Sequence, residues 1–216
     1  MNTVSSHKRR PYRLKVRAER QRATRARIAA ATLALHEEVG PAQTTVSEIA
    51  RRAGVQRLTV YNSFPDPQDL FAACQSRFLE LHPPPPPMAG PHPWKNLQAT
   101  LASLYAWYRQ NRRLQEKVHR DRHLLPILDA LMAHTTDARL NERADALTAA
   151  LVSDRRADRV RPLVRLALGY RTWEELTDAG LDDAAAARLM AQAIGGVARS
   201  NAGRRGTLSE IPVGRD

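Results

Sequence analysis

The chain has 216 residues and a formal net charge of +12, with 34 Lys or Arg against 22 Asp or Glu. This length fits one medium domain or two small ones, and the dominance of Leu and Ala among the apolar residues favours helix over sheet. No apolar run approaches the roughly 20 residues of a membrane span, and no signal peptide precedes the first predicted helix. Cys74 is the single cysteine, which excludes an intramolecular disulfide and is compatible with a reducing cytoplasm.

The positive charge is concentrated at the N-terminus, where residues 1–27 hold ten Lys or Arg and one Glu. Such a segment is typical of a phosphate-binding extension, and the alternative is a disordered, solubilising tail. We predict a flexible basic arm over residues 1–20, followed by a first helix from about Gln21 to Val39 that ends at Gly40-Pro41. The buried stripe of that helix comprises Ile28, Thr32, Leu35 and Val39.

Residues 45–64 have the pattern of two short helices joined by a tight turn. Thr45 is a good N-cap, and Glu48 three residues later completes a capping box. Gly54 supplies the positive φ that a sharp turn needs, and a second, polar-faced helix follows over residues 57–64. A glycine turn between two short helices is how a recognition helix is presented to the DNA major groove, and the alternative is a generic helical hairpin.

A fourth helix and a proline-rich segment come next. Asp66 and Pro67 mark the start of this helix as its N-cap and first residue. Residues 82–93 contain five consecutive prolines, which favour an extended polyproline II spacer, a PxxP peptide ligand being the alternative. We place a domain boundary here, between a DNA-binding unit over residues 21–81 and a helical unit over residues 94–200.

The helical unit is predicted from leucines and aromatic residues that recur at helical spacing, with no strand-like alternation. The segment Arg159–Thr177 is apolar on two faces, and the alanine-rich face of Ala184–Ala198, with Ile194, permits close helix approach. Such a pair in two copies would form a four-helix dimer interface, and the alternative is two ordinary core helices. Residues 201–216 are expected to be a flexible tail.

Within residues 24–71, apolar residues, glycine, threonine and tyrosine occur in a fixed order: Arg27, Ile28, Ala30, Ala31, Gly40, Thr44, Thr45, Val46, Ile49, Ala50, Ala53, Gly54, Val55, Thr59, Val60, Tyr61, Phe64 and Leu70. This order resembles the tetracycline-repressor (TetR) family of bacterial regulators. The resemblance implies an all-α fold, with an N-terminal three-helix helix-turn-helix domain that binds DNA. It also implies a C-terminal helical domain that binds a ligand and dimerises through its last two long helices.

The predicted DNA contacts come from the first helix and from the two short helices: Arg22, Arg25, Thr45, Ser47, Arg57, Leu58, Thr59, Tyr61 and Asn62. Arg57 suits bidentate binding to guanine, and Asn62 suits adenine. Tyr61 matches the family tyrosine whose hydroxyl contacts phosphate, and the alternative is a partly buried packing residue.

Three positions depart from the family pattern. The family usually has a capping Ser at Gln56, a small residue at Leu58, and a phosphate-binding Lys at Pro67. We therefore do not infer the operator sequence from relatives, and we expect N-terminal arginines to replace the missing lysine contact.

The resemblance also implies a small-molecule pocket, whose candidate lining residues are apolar or aromatic: Leu101, Leu104, Tyr105, Tyr108, Leu128, Leu131, Met132 and Trp173. Each is alternatively a plain core residue. His119 and His123 lie four residues apart near Asp121, but two histidines without clear further partners are weak support for a metal site. We expect no metal and no cofactor.

We therefore predict a cytoplasmic, homodimeric, sequence-specific DNA-binding transcriptional regulator. In this prediction it is a repressor that leaves a palindromic double-stranded DNA operator when a small apolar ligand binds. The alternative is an architectural DNA-binding protein that needs no effector. An enzyme is not expected, because the sequence has no nucleophile elbow, no glycine-rich phosphate loop and no paired carboxylates in a plausible cleft.

Overall fold

The computed structural model describes residues 9–153 and 155–200, with side chains described from residue 15 onward. This part of the chain contains eleven α-helices and no strand, which confirms the predicted all-α class. The helices are α1 (Arg9–Glu38), α2 (Val46–Ala53), α3 (Arg57–Ser63), α4 (Pro67–Leu81), α5 (Pro93–Gln110), α6 (Arg112–Asp121), α7 (Pro126–Met132), α8 (Ala138–Leu151), α9 (Ala157–Ala167), α10 (Tyr170–Asp178) and α11 (Asp183–Arg199). None of these described helices is long and apolar enough to cross a membrane.

Helix α1 begins earlier than predicted, at Arg9 rather than at Gln21, and is 30 residues long. Residues 9–20 contain five Arg and one each of Leu, Lys, Ala and Glu, all of which are good helix formers. Their one proline, Pro11, lies in the first turn, where a missing amide costs no helical hydrogen bond. Residues 9–20, expected to be flexible, therefore continue the helix. The expectations for residues 1–8 and for the tail after residue 200 fall outside the described residues.

The helix-turn-helix half has a small apolar core. Its buried residues come from one face each of α1, α2 and α3 and from the residue after α3: Ile28, Ala31, Leu35, Ile49, Ala50, Ala53, Val60 and Phe64. The predicted stripe of α1 is buried except at its last member, Val39, which is 37% exposed. Thr32 Oγ1 donates to the Ile28 carbonyl at 2.9 Å, so this buried hydroxyl is satisfied within the helix. Helix α4 packs along α1 and leads out of this core.

The second half is organised around α5, which packs against α8, α10 and α11. Helix α9 closes the bundle by packing against α8 and α11. The alanine-rich face of α11 makes its close approach here, through Ala186, Ala187 and Ile194, all 0% exposed. The prediction that Ile194 lies in a dimer interface is therefore wrong, because this residue belongs to the core of its own chain.

The predicted single helix Arg159–Thr177 is divided into α9 and α10. Tyr105 Oη donates to the Ala167 carbonyl at 2.8 Å, and Tyr108 Oη donates to the Leu168 carbonyl at 2.7 Å. These bonds satisfy carbonyl groups at the end of α9, so α5 stabilises the break. The change of direction also brings Val164 and Ala167 of one apolar face and Trp173 of the other into one core, whereas Leu166 remains 54% exposed.

The two halves pack against each other although residues 83–92 form no helix, as the prolines predicted. Helix α6 contacts α1 and the short 3₁₀ turn Pro41–Gln43, and α4 contacts α7. A shared cluster of buried residues crosses between the halves: Leu33, Cys74, Phe78 and Leu114. A π-helical turn, Ala133–Asp137, joins α7 to α8 at the place where the sequence indicated a break.

Candidate nucleic-acid interface and internal cavity

The turn between α2 and α3 has helix-turn-helix geometry. Thr45 Oγ1 accepts a hydrogen bond from the Glu48 amide at 3.2 Å, so α2 is capped as predicted. The reciprocal half of the capping box does not form in this described turn, because the Glu48 carboxylate pairs with Arg51. Gly54 ends α2 with φ 64° and ψ 41°, a left-handed conformation that glycine adopts without strain. The chain thereby turns sharply into α3.

One face of α3 is directed to solvent and carries four of the predicted DNA-binding residues: Arg57, Leu58, Tyr61 and Asn62. Thr59 is half-buried at the edge of this face, and Val60 anchors the opposite face in the core. Leu58 is 64% exposed and Tyr61 is 56% exposed. Two large side chains exposed side by side on a seven-residue helix indicate a contact surface.

The charges around this face are only partly compensated. Arg51 and Arg52 pair with Glu48 and Glu38. Arg57, by contrast, has no carboxylate partner among the described residues, and its Nη1 donates to Ser47 Oγ at 3.3 Å. The N-terminus of α2 and the start of α3 therefore present Arg57 and Ser47 together. Gln56 makes no side-chain hydrogen bond at the start of α3, consistent with its departure from the family's capping serine.

The two predicted arginines of α1 have different surroundings. The Arg25 guanidinium lies 4.0 Å from the centroid of the Phe64 ring and donates to the Ser63 carbonyl, so it fastens α1 to the end of α3. Arg22 is exposed, and its side chain makes no ion pair or hydrogen bond within the described chain. A DNA contact remains a prediction for both, and Arg25 also has a structural role.

The turn that precedes the helix-turn-helix is fastened to α6. Asp121 is 1% exposed, and its Oδ2 accepts a hydrogen bond from the Ala42 amide at 3.0 Å. Arg120 Nε donates to Asp121 Oδ1 at 2.7 Å, and its Nη2 donates to the Val39 carbonyl at 3.1 Å. Burial alone would raise the pKa of Asp121, but the hydrogen bonds from Arg120 and Ala42 lower it, so the carboxylate stays ionised. Gly40 has φ 96°, and a Cβ there would overlap Arg120 and Asp121.

A cavity of about 710 Å³ lies between the two halves of the chain. Five of the eight predicted pocket residues line it: Leu104, Tyr108, Leu128, Leu131 and Met132. The other three, Leu101, Tyr105 and Trp173, are fully buried in the core of the second half and do not line the cavity. The structure thus divides the predicted pocket residues between a cavity wall and a packed core.

A second wall, not predicted from the sequence, comes from α1 and α4 and includes Leu33, His36, Phe71, Cys74 and Phe78. His36 Nδ1 lies 3.5 Å from Cys74 Sγ. Burial lowers the pKa of His36 to about 4 and raises the pKa of Cys74 to about 12, so both are neutral at pH 7. A signal was present, because the apolar face of α4 carries more large side chains than the small three-helix core can cover.

His119, which was considered as a metal ligand, packs against an aromatic ring. Its ring stacks on Tyr170, with centroids 4.7 Å apart and 12° between the planes. Burial lowers the pKa of His119 to about 4, so the ring is neutral at pH 7. His123 is exposed. Over the residues that the structure describes, no group of three or more His, Cys, Asp or Glu side chains is placed to hold a metal ion.

A helix-turn-helix joined to an all-α domain with a cavity defines a class of two-part DNA-binding regulators. Residues 28–74 match the family described as bacterial regulatory proteins, tetR family. The helix-turn-helix segment of the chain is therefore of the tetR type. The matched segment spans the C-terminal part of α1, all of α2 and α3, and the first half of α4. It contains the predicted DNA contacts of α2 and α3, whereas Arg22 and Arg25 precede it.

Two solved structures from Rhodococcus sp. RHA1 are similar in fold. One is a transcriptional regulator with 20% sequence identity and a TM-score of 0.59, and the match covers 80% of this chain and 95% of that one. The other is a TetR-like transcriptional regulator with 19% identity and a TM-score of 0.57, covering 81% and 95%. At these identities the likeness establishes the fold. No curated protein matches the sequence significantly.

Proposed function

We propose that the protein is a homodimeric, sequence-specific transcriptional repressor whose DNA binding is relieved by a small molecule in the cavity. The observation that carries the proposal is the position of this cavity. Its walls include α1 and α4, which also hold the helix-turn-helix in place. A molecule that binds there contacts the DNA-binding half directly, so its binding energy can favour one arrangement of that half over another.

The DNA contact is assigned to the solvent-facing side of α3. Arg57 and Asn62 suit base edges in the major groove, and Tyr61 suits a phosphate oxygen. The methyl groups of Leu58 suit a thymine methyl, which is an apolar feature of the same groove. Basic side chains of α1, including Arg22, extend the surface toward the phosphate backbone.

Helix α6 is the proposed route between the cavity and the DNA. Leu114 and His119 line the cavity from this helix, while Asp121 at its C-terminus holds the Ala42 amide. A ligand that displaces α6 therefore pulls on the turn that precedes α2. The carboxylate of Asp121 is buried and ionised, so breaking its hydrogen bonds is costly. A displacement of α6 should therefore move the turn at Ala42 instead of separating from it.

The dimer contact is assigned to the outward face of α11. Leu189, Gln192, Ala193 and Gly196 are exposed on this face. Leu189 is a large apolar residue that is 44% exposed, and a Cβ on Gly196 would meet no atom within 4 Å. The face is thus flat and free for a second copy, in contrast to the opposite face, which contacts α5.

Sedimentation of wild-type protein and two variants tests the assembly. We expect a dimer at micromolar concentration for the wild type and a folded monomer for Leu189→Asp, because the substitution places charge in the interface. Leu124→Asp is the control, since Leu124 is 58% exposed in the turn before α7. A monomeric wild type, or equal behaviour of the two variants, would contradict the assignment.

Binding to DNA upstream of the protein's own and neighbouring genes tests the regulatory role. We expect a footprint confined to a palindrome, with half-sites about one helical turn apart or a multiple of it, because a two-fold protein reads two-fold DNA. The basic helix α1 favours one alternative, an architectural protein without an effector. General coverage of any DNA in the footprint would support that alternative.

A further inference from the structure

The lining of the cavity combines apolar side chains with a group of basic ones. Its apolar part includes Phe71, Phe78, Trp107, Leu128, Leu131 and Met132. Its charged part comprises five arginines and two carboxylates: Arg122, Arg139, Arg143, Arg165, Arg171, Asp137 and Glu142. With His36 and His119 neutral, positive charge exceeds negative charge among the lining residues.

Most of these arginines are already paired. Asp137, in the π-helical turn, binds Arg122 at 2.7 Å through Oδ2 and Arg165 at 2.9 Å through Oδ1. Arg122 also binds Asp129 at 2.6 Å, and Arg171 binds Glu174 at 2.6 Å. Asp137 is therefore shared by two guanidinium groups beside the cavity, and together with Asp129 it balances the charge of Arg122 and Arg165.

Arg143 differs because no carboxylate pairs with it among the described residues. It is half-buried, its Nη2 donates to the Pro85 carbonyl at 2.7 Å, and burial lowers its pKa. Burial raises the pKa of Tyr108, and the charges of Arg143 and Arg165 both oppose that rise, so the two arginines act on the same part of the cavity wall. A half-buried guanidinium without an anion is an unfavourable arrangement that a bound anion would relieve.

We propose that the cavity binds a small amphipathic organic anion, with its carboxylate or sulfonate on Arg143 and its apolar body against Phe78, Trp107 and Leu131. This inference rests on the proposed small-molecule site and narrows the ligand from an apolar compound to an anion. The guanidinium of Arg143 keeps donors beyond the one that binds Pro85, and an oxyanion accepts such donors in a fork geometry.

Two fluorescent dyes of nearly the same shape separate charge from apolar binding. Anilinonaphthalene sulfonate is an anion, and phenylnaphthylamine is its neutral counterpart without the sulfonate. We expect wild-type protein to bind the anion at least about tenfold more tightly than the neutral dye. Energy transfer from tryptophan to the bound dye reports binding, and Trp107→Phe should weaken this signal because Trp107 lines the cavity.

Variants of the cavity arginines then identify the site. Arg143→Met should lose about tenfold in affinity for the anionic dye and keep its affinity for the neutral dye, which also shows that the cavity is intact. Arg143→Lys should keep most of the preference for the anion. Arg139→Met is the matched control, because Arg139 lines the same cavity but is exposed, and it should change little. Leu131→Trp, which places a larger side chain in the cavity, should weaken binding of both dyes.

Several outcomes would overturn the proposal: equal affinity for the two dyes, an unchanged anion affinity in Arg143→Met, or unchanged binding in Leu131→Trp. The regulatory role is measured separately, by titrating either dye into the protein–DNA complex and following fluorescence anisotropy of labelled DNA. Selective anion binding through Arg143 without release of DNA would retain the anion site and contradict ligand-relieved repression. Equal release of DNA by both dyes would support ligand-relieved repression and contradict the anion site.

Discussion

The DNA-facing surface and the cavity region place their ionisable groups in opposite ways. On the helix-turn-helix, charged side chains are exposed or at the surface, and none of the buried polar residues lies in residues 45–64. Around the cavity and α6, His36 and Asp121 are buried, and Arg143 is half-buried. Exposed charges are screened by salt, whereas buried groups respond to pH through the cost of their charged forms. DNA binding through the first region should therefore depend on salt, and the stability of the second region should depend on pH.

The largest effect is expected from removing the basic start of α1. Deleting residues 1–20 removes seven Lys or Arg and one Glu. Because each phosphate contact releases counterions, affinity for DNA should fall roughly a hundredfold at moderate salt, and the log–log salt slope should become shallower by several units. Fluorescence anisotropy at several salt concentrations measures both. Identical slopes for the two proteins would show that this segment does not contact DNA.

Substitutions on α3 should have the next largest effect. Arg57→Ala and Asn62→Ala should each cost about 1–3 kcal/mol of binding free energy and relax preference at particular base pairs. Arg51→Ala is the control in the same motif, because Arg51 is paired with Glu48, and it should cost much less. Binding-site selection with each variant measures preference. An unchanged profile for Arg57→Ala would mean that another element reads the bases.

The cavity region should make stability depend on pH. The pKa values of His36 and His119 are lowered from 6.5 to about 4, so protons bind to the unfolded chain first. The stability that the two neutral histidines contribute to the folded state is fully present above pH 6.5 and is lost as the pH falls toward 4. Between pH 7 and pH 5 the free energy of unfolding should fall by about 2 kcal/mol for each histidine.

Denaturant titrations at several pH values measure this loss. His119→Phe retains a ring against Tyr170 and should remove about half of the pH dependence. His123→Phe, at an exposed position, should leave it unchanged. If neither substitution alters the slope of stability against pH, buried histidines are not its source.

The smallest effect on DNA affinity is expected at the junction between the two regions. Asp121→Asn keeps the shape of the side chain and weakens its bonds to Arg120 and Ala42. DNA affinity without ligand should change by only a few-fold, which is about 1 kcal/mol or less. Release of DNA by anilinonaphthalene sulfonate should be lost in this variant. A full response to the dye would mean that coupling bypasses α6.

Local signals predicted the helix-turn-helix half well, because its boundaries depend on neighbouring residues. Thr45 caps α2, Gly54 ends it in a left-handed turn, and Asp66 accepts from the Gln68 amide at the start of α4. The early start of α1 at Arg9 does not follow from charge, because basic composition is typical of flexible arms as well as of helices, and most of residues 9–20 are good helix formers.

The second half was harder to predict, because its decisive contacts join distant positions. The break after α9 is stabilised by hydroxyl groups of Tyr105 and Tyr108, some sixty residues earlier in the chain. Helical periodicity predicts that Ile194 is buried, but it does not say whether the side chain packs against its own chain or against a second subunit. The predicted pocket residues show the same limit. Trp173 and Leu131 both recur at helical spacing, but the fold places Trp173 in the core and Leu131 in the cavity wall.

Because α1 is long, a small rotation of the helix near the cavity displaces its N-terminal end by several ångströms. Its thirty residues span about 45 Å, and Leu33 and His36 in its last two turns line the cavity. A molecule in the proposed site would contact α1 near its C-terminal end, while the basic residues lie toward its N-terminal end. Arg9 is about 36 Å from Leu33 along the helix, so a tilt of about 5° at the cavity would displace the far end by about 3 Å, comparable to the rise of one base pair of DNA.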